Sequence, residues 1–525
     1  MQKYFYRPWV FALGTAIALL LAGMASAQDV SAGTIVFTKD VAPILFEHCV
    51  SCHRSGEVAP MSLRTYKEAR PWAKAIKAVL QKGDMPPWFA NPAHGEFKND
   101  PTLSQAEINT IVRWVDQGAR RGKRSDMPAL PDFVNGWQHG VPDYVVELPE
   151  VEIPADGPDI FPNLTIELDV PEGRWVRAVE IRPGNKEVAH HVVVFMNANR
   201  GGVDPSFDVL GVWAVGTPPN AYPEGMGRRI RAGQRLLANM HYHPSGKAAT
   251  DRTRIGLYFG ETEMKKEVNA VLAGSFTFEV PPGAPNHEVT GTWFVDQDIK
   301  VVSFFPHMHL RGKDMRFTAT LPDGDKKVLL DVPKYDFDWQ LFYYPVEPVS
   351  LPKGSRIDIL AHYDNSAENL DNPDPGRAVG FGLESTDEMM FGVFEYITEE
   401  GVRPRELSSE ERVDHIVTSL PNDDALYKVT FNMGATSLTS ALVLPREGMG
   451  TWYVPFQGQL VTLGIKEVEW TGDAFAFGIS INVGDTGGQF AVNGEVTEDG
   501  GISGILTMGV PPNAFPVANF TGGRP

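Results

Sequence analysis

The apolar positions of the chain follow three rhythms. Residues 9–24 form one apolar run, preceded by Lys3 and Arg7 and followed by Ala25-Ser26-Ala27. A basic start, a short apolar stretch and a small-x-small site mark a cleaved secretory signal, and the run falls short of the roughly 20 residues that span a bilayer. Residues 1–27 are therefore expected to be removed on export, leaving a periplasmic or secreted protein with no integral membrane segment. The second rhythm is helical. Residues 38–53 suit a helix, and Ser104 with Glu107 forms a capping box ahead of Ile108, Ile111, Val112 and Val115, whose spacing draws one apolar helix face. The third rhythm belongs to strands. Short β-branched and aromatic runs at 165–170, 192–195 and 301–305, broken by Gly and Pro, read as sandwich strands. Phe475, Phe477, Ile479, Ile481 and Val483 then alternate with small or polar residues, and Phe490, Val492 and Val496 repeat the theme between Gly-rich turns. That pattern predicts an antiparallel sheet or a small up-and-down barrel.

Prolines set the boundaries. Pro128, Pro131, Pro142, Pro149, Pro154 and Pro158 crowd one stretch, which reads as a linker or an extended arm. A charged stretch at 406–413 marks a short helix or connector. The predicted order is a signal peptide (1–27), a small all-α domain (33–124), a Pro-rich linker (125–159), two β-sandwiches (160–272 and 273–400), a connector (401–423) and a C-terminal β domain (424–525). The fold class is multidomain and mainly β. At about 150 residues per domain, 525 residues agree with three or four folded domains. An apolar fraction of 42% excludes wholesale disorder, and a net charge of −19 argues against a nucleic-acid partner, which needs a basic surface.

Both cysteines of the chain lie in Cys49-Val50-Ser51-Cys52-His53, the CxxCH signature of covalent haem attachment. On a helix, residues three apart share a face. Two thioether bonds can then fix the porphyrin while His53 meets the iron, and no cysteine remains for a disulfide. The stretch is similar to cytochromes c, in which a Met-Pro loop before the last helix often supplies the sixth ligand. Met85, in Gly83-Asp84-Met85-Pro86-Pro87-Trp88, is the expected residue, with Met61 as its rival. A thioether there favours reduced iron.

The histidines are grouped. Six of 13 fall in three tight pairs: His190-His191, His241-Tyr242-His243 and His307-Met308-His309. On a strand, residues i and i+2 share a face, so each HxH pair can offer two imidazoles to one metal. The adjacent pair needs a strand end or a bulge to do the same. Imidazole suits Zn, Cu, Fe and Ni alike, but a thioether from Asp387-Glu388-Met389-Met390 would tip the choice to copper.

On these residues the region 160–400 resembles the copper type II, ascorbate-dependent monooxygenases, the family of peptidylglycine α-hydroxylating and dopamine β-monooxygenases. The resemblance implies two consecutive jelly-roll-like sandwiches holding one copper each. It assigns His190, His191 and His241 to an electron-transfer copper. It assigns His307, His309 and Met389 to the oxygen-activating, catalytic copper, with Leu310, Gly312 and Lys313 continuing a family-like run. His243 and Met390 are competing ligands, and His287 and His362 are unassigned. Phe305 stands where peptide-hydroxylating members carry a carboxylate-binding arginine, which argues against a peptide carboxylate as substrate. The implied activity is hydroxylation of a C–H bond of an unknown small organic substrate by O₂. It would use two copper ions, one haem c as a relay, and an external electron donor, either an ascorbate-like reductant or a redox protein. The alternative is a non-catalytic copper and haem electron-transfer or copper-binding protein on the same scaffold.

Overall fold

The computed structural model describes residues 33–525 except 58, 135, 171, 197, 200–201, 204–208, 218, 261–263, 383, 403, 406, 421–424, 435, 457–458, 484–485 and 510–513. The expected signal peptide lies outside the described residues. Among the described residues no helix is long and apolar enough to cross a membrane. The protein is mainly β, with a few short helices, several sheets and one large sheet that takes in the C-terminal strands. The chain divides into two compact units. Among the described residues one comprises 33–54, 61–82 and 103–131, and the other 55–60, 83–102 and 132–525.

The first unit is helical. A π-helical turn Phe37–Val41 runs into the α-helix Ala42–His48, followed by Tyr66–Ala69, Ala73–Lys82 and Gln105–Asp116. Ser104 and Glu107 form the capping box expected of them. The buried face of that last helix is Ile111 and Trp114, both fully buried, while Ile108, Val112 and Val115 are only partly covered. The larger indole outcompetes the aliphatic stripe for the core. It stacks near Phe37 and donates its Nε1–H to the Arg120 carbonyl at 2.9 Å. The backbone closes here, with Phe37 and Thr38 amides donating to Arg120 and Arg121. Gly122, at φ 85°, permits this: a Cβ there would meet Thr38 Oγ1 at 2.3 Å.

Residues 83–102, expected within the helical domain, pack with the strands instead. Trp88 and Phe97 set their rings against Tyr343 at 4.8 and 5.6 Å, and the Asn91 amide donates to the Asp331 carbonyl. The expected linker also contains strands: Tyr144–Glu147 pairs with Arg254–Phe259, and Val151–Ile153 with Ala249–Asp251. Short extended segments between prolines can still pair along a sheet edge.

In the second unit, two sheets enclose the first strand-built core. One orders Tyr144–Glu147, Arg254–Phe259, Arg174–Arg182, Met226–Ile230 and Lys266–Glu267. The other orders Asn163–Glu167, Arg235–Tyr242, Ala189–Phe195 and Val209–Ala214. Val176, Ile181 and Leu257 meet Val192, Val194 and Leu236 between them. A second core lies between His287–Phe294, Arg356–Tyr363, Gly312–Thr320 and Lys326–Val332 on one side and Val349–Leu351, Ile299–His307, Met390–Thr398 and Asn269–Ser275 on the other. Its centre is Phe304, Phe317, Leu330, Ile359 and Phe394.

The C-terminal strands from Leu426–Met433 to Phe515–Gly523 are paired antiparallel throughout, with Phe475, Phe477 and Ile479 buried as the alternation predicts. They were expected to stand apart. Instead Ser275 pairs with Thr462, which makes one continuous 13-stranded sheet. The connector becomes the helix Ser409–Ser419, capped by Ser408 and Glu411, and its Val413 and Ile416 pack with Phe294 and Tyr453.

The second sandwich narrows at Gly274. A Cβ there would meet the Met390 carbonyl at 2.2 Å, and one on Gly291 would meet Gly274 Cα at 3.0 Å, so the two sheets touch backbone to backbone. Gly274→Ala should lower stability by about 1–3 kcal/mol, the usual cost of overpacking a tight core. Urea unfolding of the variant beside the parent measures it, and an unchanged midpoint would contradict the close approach.

Candidate metal centres

A bulge prepares the first centre. His241 pairs with His191, but Tyr242 pairs with Ala189, so His190 is an extra residue on its strand. The bulge lets adjacent side chains leave one face, which regular alternation forbids. The Nδ1 atoms converge: His190 to His191 at 3.2 Å and His241 to His191 at 3.4 Å. These three histidines form a group with ligand atoms within 4.8 Å of one another.

Neighbouring groups set which nitrogen is free. The Asp159 carboxylate accepts from His241 Nε2 at 2.6 Å, holding the proton there and leaving Nδ1 with its lone pair. Phe161 stacks on the same ring at 4.4 Å. His190 Nε2 lies 3.6 Å from Asp338. Burial holds His191 well below the usual histidine range, reinforced by the neighbouring imidazoles, and lowers His241 against the pull of Asp159. Three imidazole nitrogens this close together can share one cation, so the donor set fits a metal.

The second set ends the strand Ile299–His307. The rings of His307 and His309 are 5.3 Å apart. Gln340 Oε1 accepts from His307 Nδ1 at 2.7 Å, and the Asp387 carbonyl lies 3.3 Å from His309 Nδ1, so both Nε2 atoms are left for coordination. Burial pushes His307 down to about 4 and His309 well below its usual range. Met389 lines the same cavity as these two rings, whereas Met390 is fully buried in the second core. Tyr363 donates its hydroxyl to the Met389 carbonyl at 2.7 Å and so fixes the backbone of that methionine. Neutral imidazoles with a thioether on one wall fit copper better than a hard cation.

The two sets converge. His191 and His307 rings are 6.3 Å apart, and both line one largely apolar cavity. His243 is mostly exposed and bonds Asp159, not the other rings, while His362 bonds Asp314. His287 lies on the edge-facing register opposite Tyr363.

Several supporting residues gave no sequence signal. Phe337 stacks on His190 at 5.0 Å and also approaches His309 at 5.8 Å and His241 at 6.1 Å, so one ring packs against both sets. Glu388, fully buried, accepts from the His309 and Arg311 amides at 2.9 and 2.7 Å and locks the turn after the HxH pair. Burial pushes its carboxyl up to about 8. The Asp-Glu-Met segment pointed to Met389. Nothing in the sequence separated a buried backbone anchor at Glu388 from an ordinary charged residue.

In the helical unit, Cys49 follows the helix Ala42–His48, and the Cys52 and His53 amides both donate to its carbonyl, so the CxxCH residues share one turn. Both thiols are half-buried, and burial pushes Cys49 up to about 12. His53 is partly buried with an unpartnered Nδ1. The two candidate sixth ligands divide: Met61 belongs to the unit of His53 and Met85 to the other.

No family model matches the chain. The chain is similar to DBH-like monooxygenase protein 1 of Gallus gallus, 22% identical over 253 residues, covering 41% of this chain and 40% of that protein. It is also similar to DBH-like monooxygenase protein 1 of Mus musculus, 22% identical over 325 residues, covering 53% of each. The chain thus spans about half the length of these relatives or less. The similarity, though distant, supports a DBH-like, monooxygenase-type oxidoreductase, and copper fits such relatives.

Unfolded histidine protonates near pH 6.5 and folded His307 only near 4, so the unfolded chain binds more protons in between. Stability of the metal-free protein should therefore fall as pH drops from 6.5 to 4, by at most about 3 kcal/mol from this residue. His307→Gln should flatten that slope. Denaturant midpoints across the window test it, and an unchanged slope in the variant would assign the effect elsewhere.

Proposed function

We propose that the protein is an exported copper monooxygenase that hydroxylates a C–H bond of a small organic substrate. The observation that carries this reading is one apolar cavity lined by His191 of the histidine triad and by His307, His309 and Met389, with the His191 and His307 rings 6.3 Å apart. His190, His191 and His241 would hold one copper, and His307, His309 and Met389 the other. Copper there would supply one-electron redox chemistry and, at the methionine-bearing centre, a position for O₂. The overall balance is C–H plus O₂ plus two electrons and two protons, giving C–OH and water.

The residues around the centres do the preparatory work. Asp159 keeps the proton on His241 Nε2, and Gln340 keeps one on His307 Nδ1, so the coordinating nitrogens stay unprotonated at neutral pH. Phe337, Phe391 and Val193 give the cavity an apolar wall. Apolar surroundings strengthen every electrostatic contact made inside.

The electrons come from an external donor, an ascorbate-like reductant or a redox protein. Cys49, Cys52 and His53 would carry one haem c as the relay, with Met85 or Met61 as its sixth ligand. The CxxCH turn and its accompanying helices support this part.

Elemental analysis should find two coppers per chain, and Met389→Ala should alter the paramagnetic signal of only one. With reductant and isotopically labelled O₂, a substrate panel should yield a product carrying one labelled oxygen. Two coppers, one haem and no labelled product across the panel would favour the electron-transfer alternative instead. For the haem, Met85→Ala should abolish the charge-transfer band of methionine-ligated ferric haem; loss in Met61→Ala alone would transfer the role to Met61.

A further inference from the structure

The cavity between the two histidine sets limits what can be hydroxylated there. It has a volume of about 130 Å³. An apolar hole of roughly this size, on the order of 150 Å³, holds one benzene ring. The walls agree in chemistry. Phe305 comes from the strand that ends at His307, Phe391 from the strand that follows Met389, Leu272 from the neighbour of the latter, and Val193 and Val209 from the strands around the first set. Among the described residues neither lysine nor arginine lines the cavity.

Among the described residues Glu395 is the one carboxylate on the wall, and it is already engaged. Its Oε1 accepts from the Tyr222 hydroxyl at 2.5 Å and its Oε2 from the Ser303 hydroxyl at 2.7 Å. It is buried at 8% exposure, so a cationic ligand would have to break one of these bonds to reach it. An anionic ligand would find no counter-charge among the described side chains that line the cavity. Desolvation disfavours either charge in this space without a free partner. Thr217, Tyr222 and Asn239 leave uncharged polar spots on the wall, enough for one hydroxyl or carbonyl.

The geometry points to a neutral, hydrocarbon-like molecule the size of a single six-membered ring as the substrate class, held with a C–H bond toward His307, His309 and Met389. This rests on the monooxygenase reading of the same site and narrows it.

Three probes that share a ring and differ in charge test the inference: toluene, benzoate and benzylamine. Binding to the full, copper-loaded protein without reductant is measured by calorimetry. Toluene should bind one to one, and benzoate and benzylamine at least about tenfold more weakly, since one tenfold step is only about 1.4 kcal/mol. Leu272→Trp should abolish toluene binding with the copper signal retained. Should that variant unfold, Val209→Phe fills the cavity from another strand and should do the same. Equal or tighter binding of either charged ring would overturn the substrate class, as would toluene binding that survives both cavity-filling changes. Because no electrons are supplied, a failure here leaves the copper count and the labelled-oxygen result standing, and a failure of those leaves the ring-binding result standing.

Discussion

One inserted residue governs the first metal centre. A regular strand would send His190 and His191 to opposite faces, one into the first core and one out of it. The bulge opposite His241 and Tyr242 removes that alternation for a single step, and both imidazoles then meet His241. Everything nearby supports the arrangement. Asp159 fixes the His241 tautomer, Phe161 and Phe337 fix the planes of the rings, and burial holds His191 and His241 below the usual histidine range. Three imidazole nitrogens held this close can share one cation.

The second centre is built by different means. His307 is the last residue of its strand and His309 lies just beyond it, where pairing has ended and a turn must be held by other bonds. Glu388 supplies them from below, accepting from two backbone amides of that turn, while the next residue offers its thioether to the cavity. One short segment thus anchors the histidine turn and adds the sulfur. Its position is guaranteed by the tight sheet contact at Gly274 beside Met390.

The arrangement also bears on what the extra elements do. The C-terminal strands join the second sandwich through Ser275 and Thr462, on the strand that contributes Leu272 to the cavity wall. The segment with Trp88 and Phe97 packs on Tyr343, which pairs with Phe304 in the strand that ends at His307. Both attachments stiffen strands that carry the site, and a preorganised donor set loses less freedom when it binds.

Local rules made much of this legible from sequence alone. Strand alternation placed Phe475, Phe477 and Ile479 in a core, the capping box started the helix Gln105–Asp116, and the three histidine pairs pointed to metal chemistry, with a strand end or a bulge needed for the adjacent pair. These features depend on residues within a few positions of one another. The rest depended on contacts across long stretches of chain. Trp114 displaced the aliphatic stripe because its ring fitted the core. Residues 83–102 joined the strands because Trp88 and Phe97 found Tyr343. Phe337, Gln340 and Glu388 took their places beside the histidines because separate strands and loops brought them there. The sequence by itself determined which side chains could hold metal, since donor chemistry is a property of the residue. Only the tertiary structure decided that the two sets meet at one small, largely apolar cavity, since the shape and polarity of a cavity belong to all the walls together.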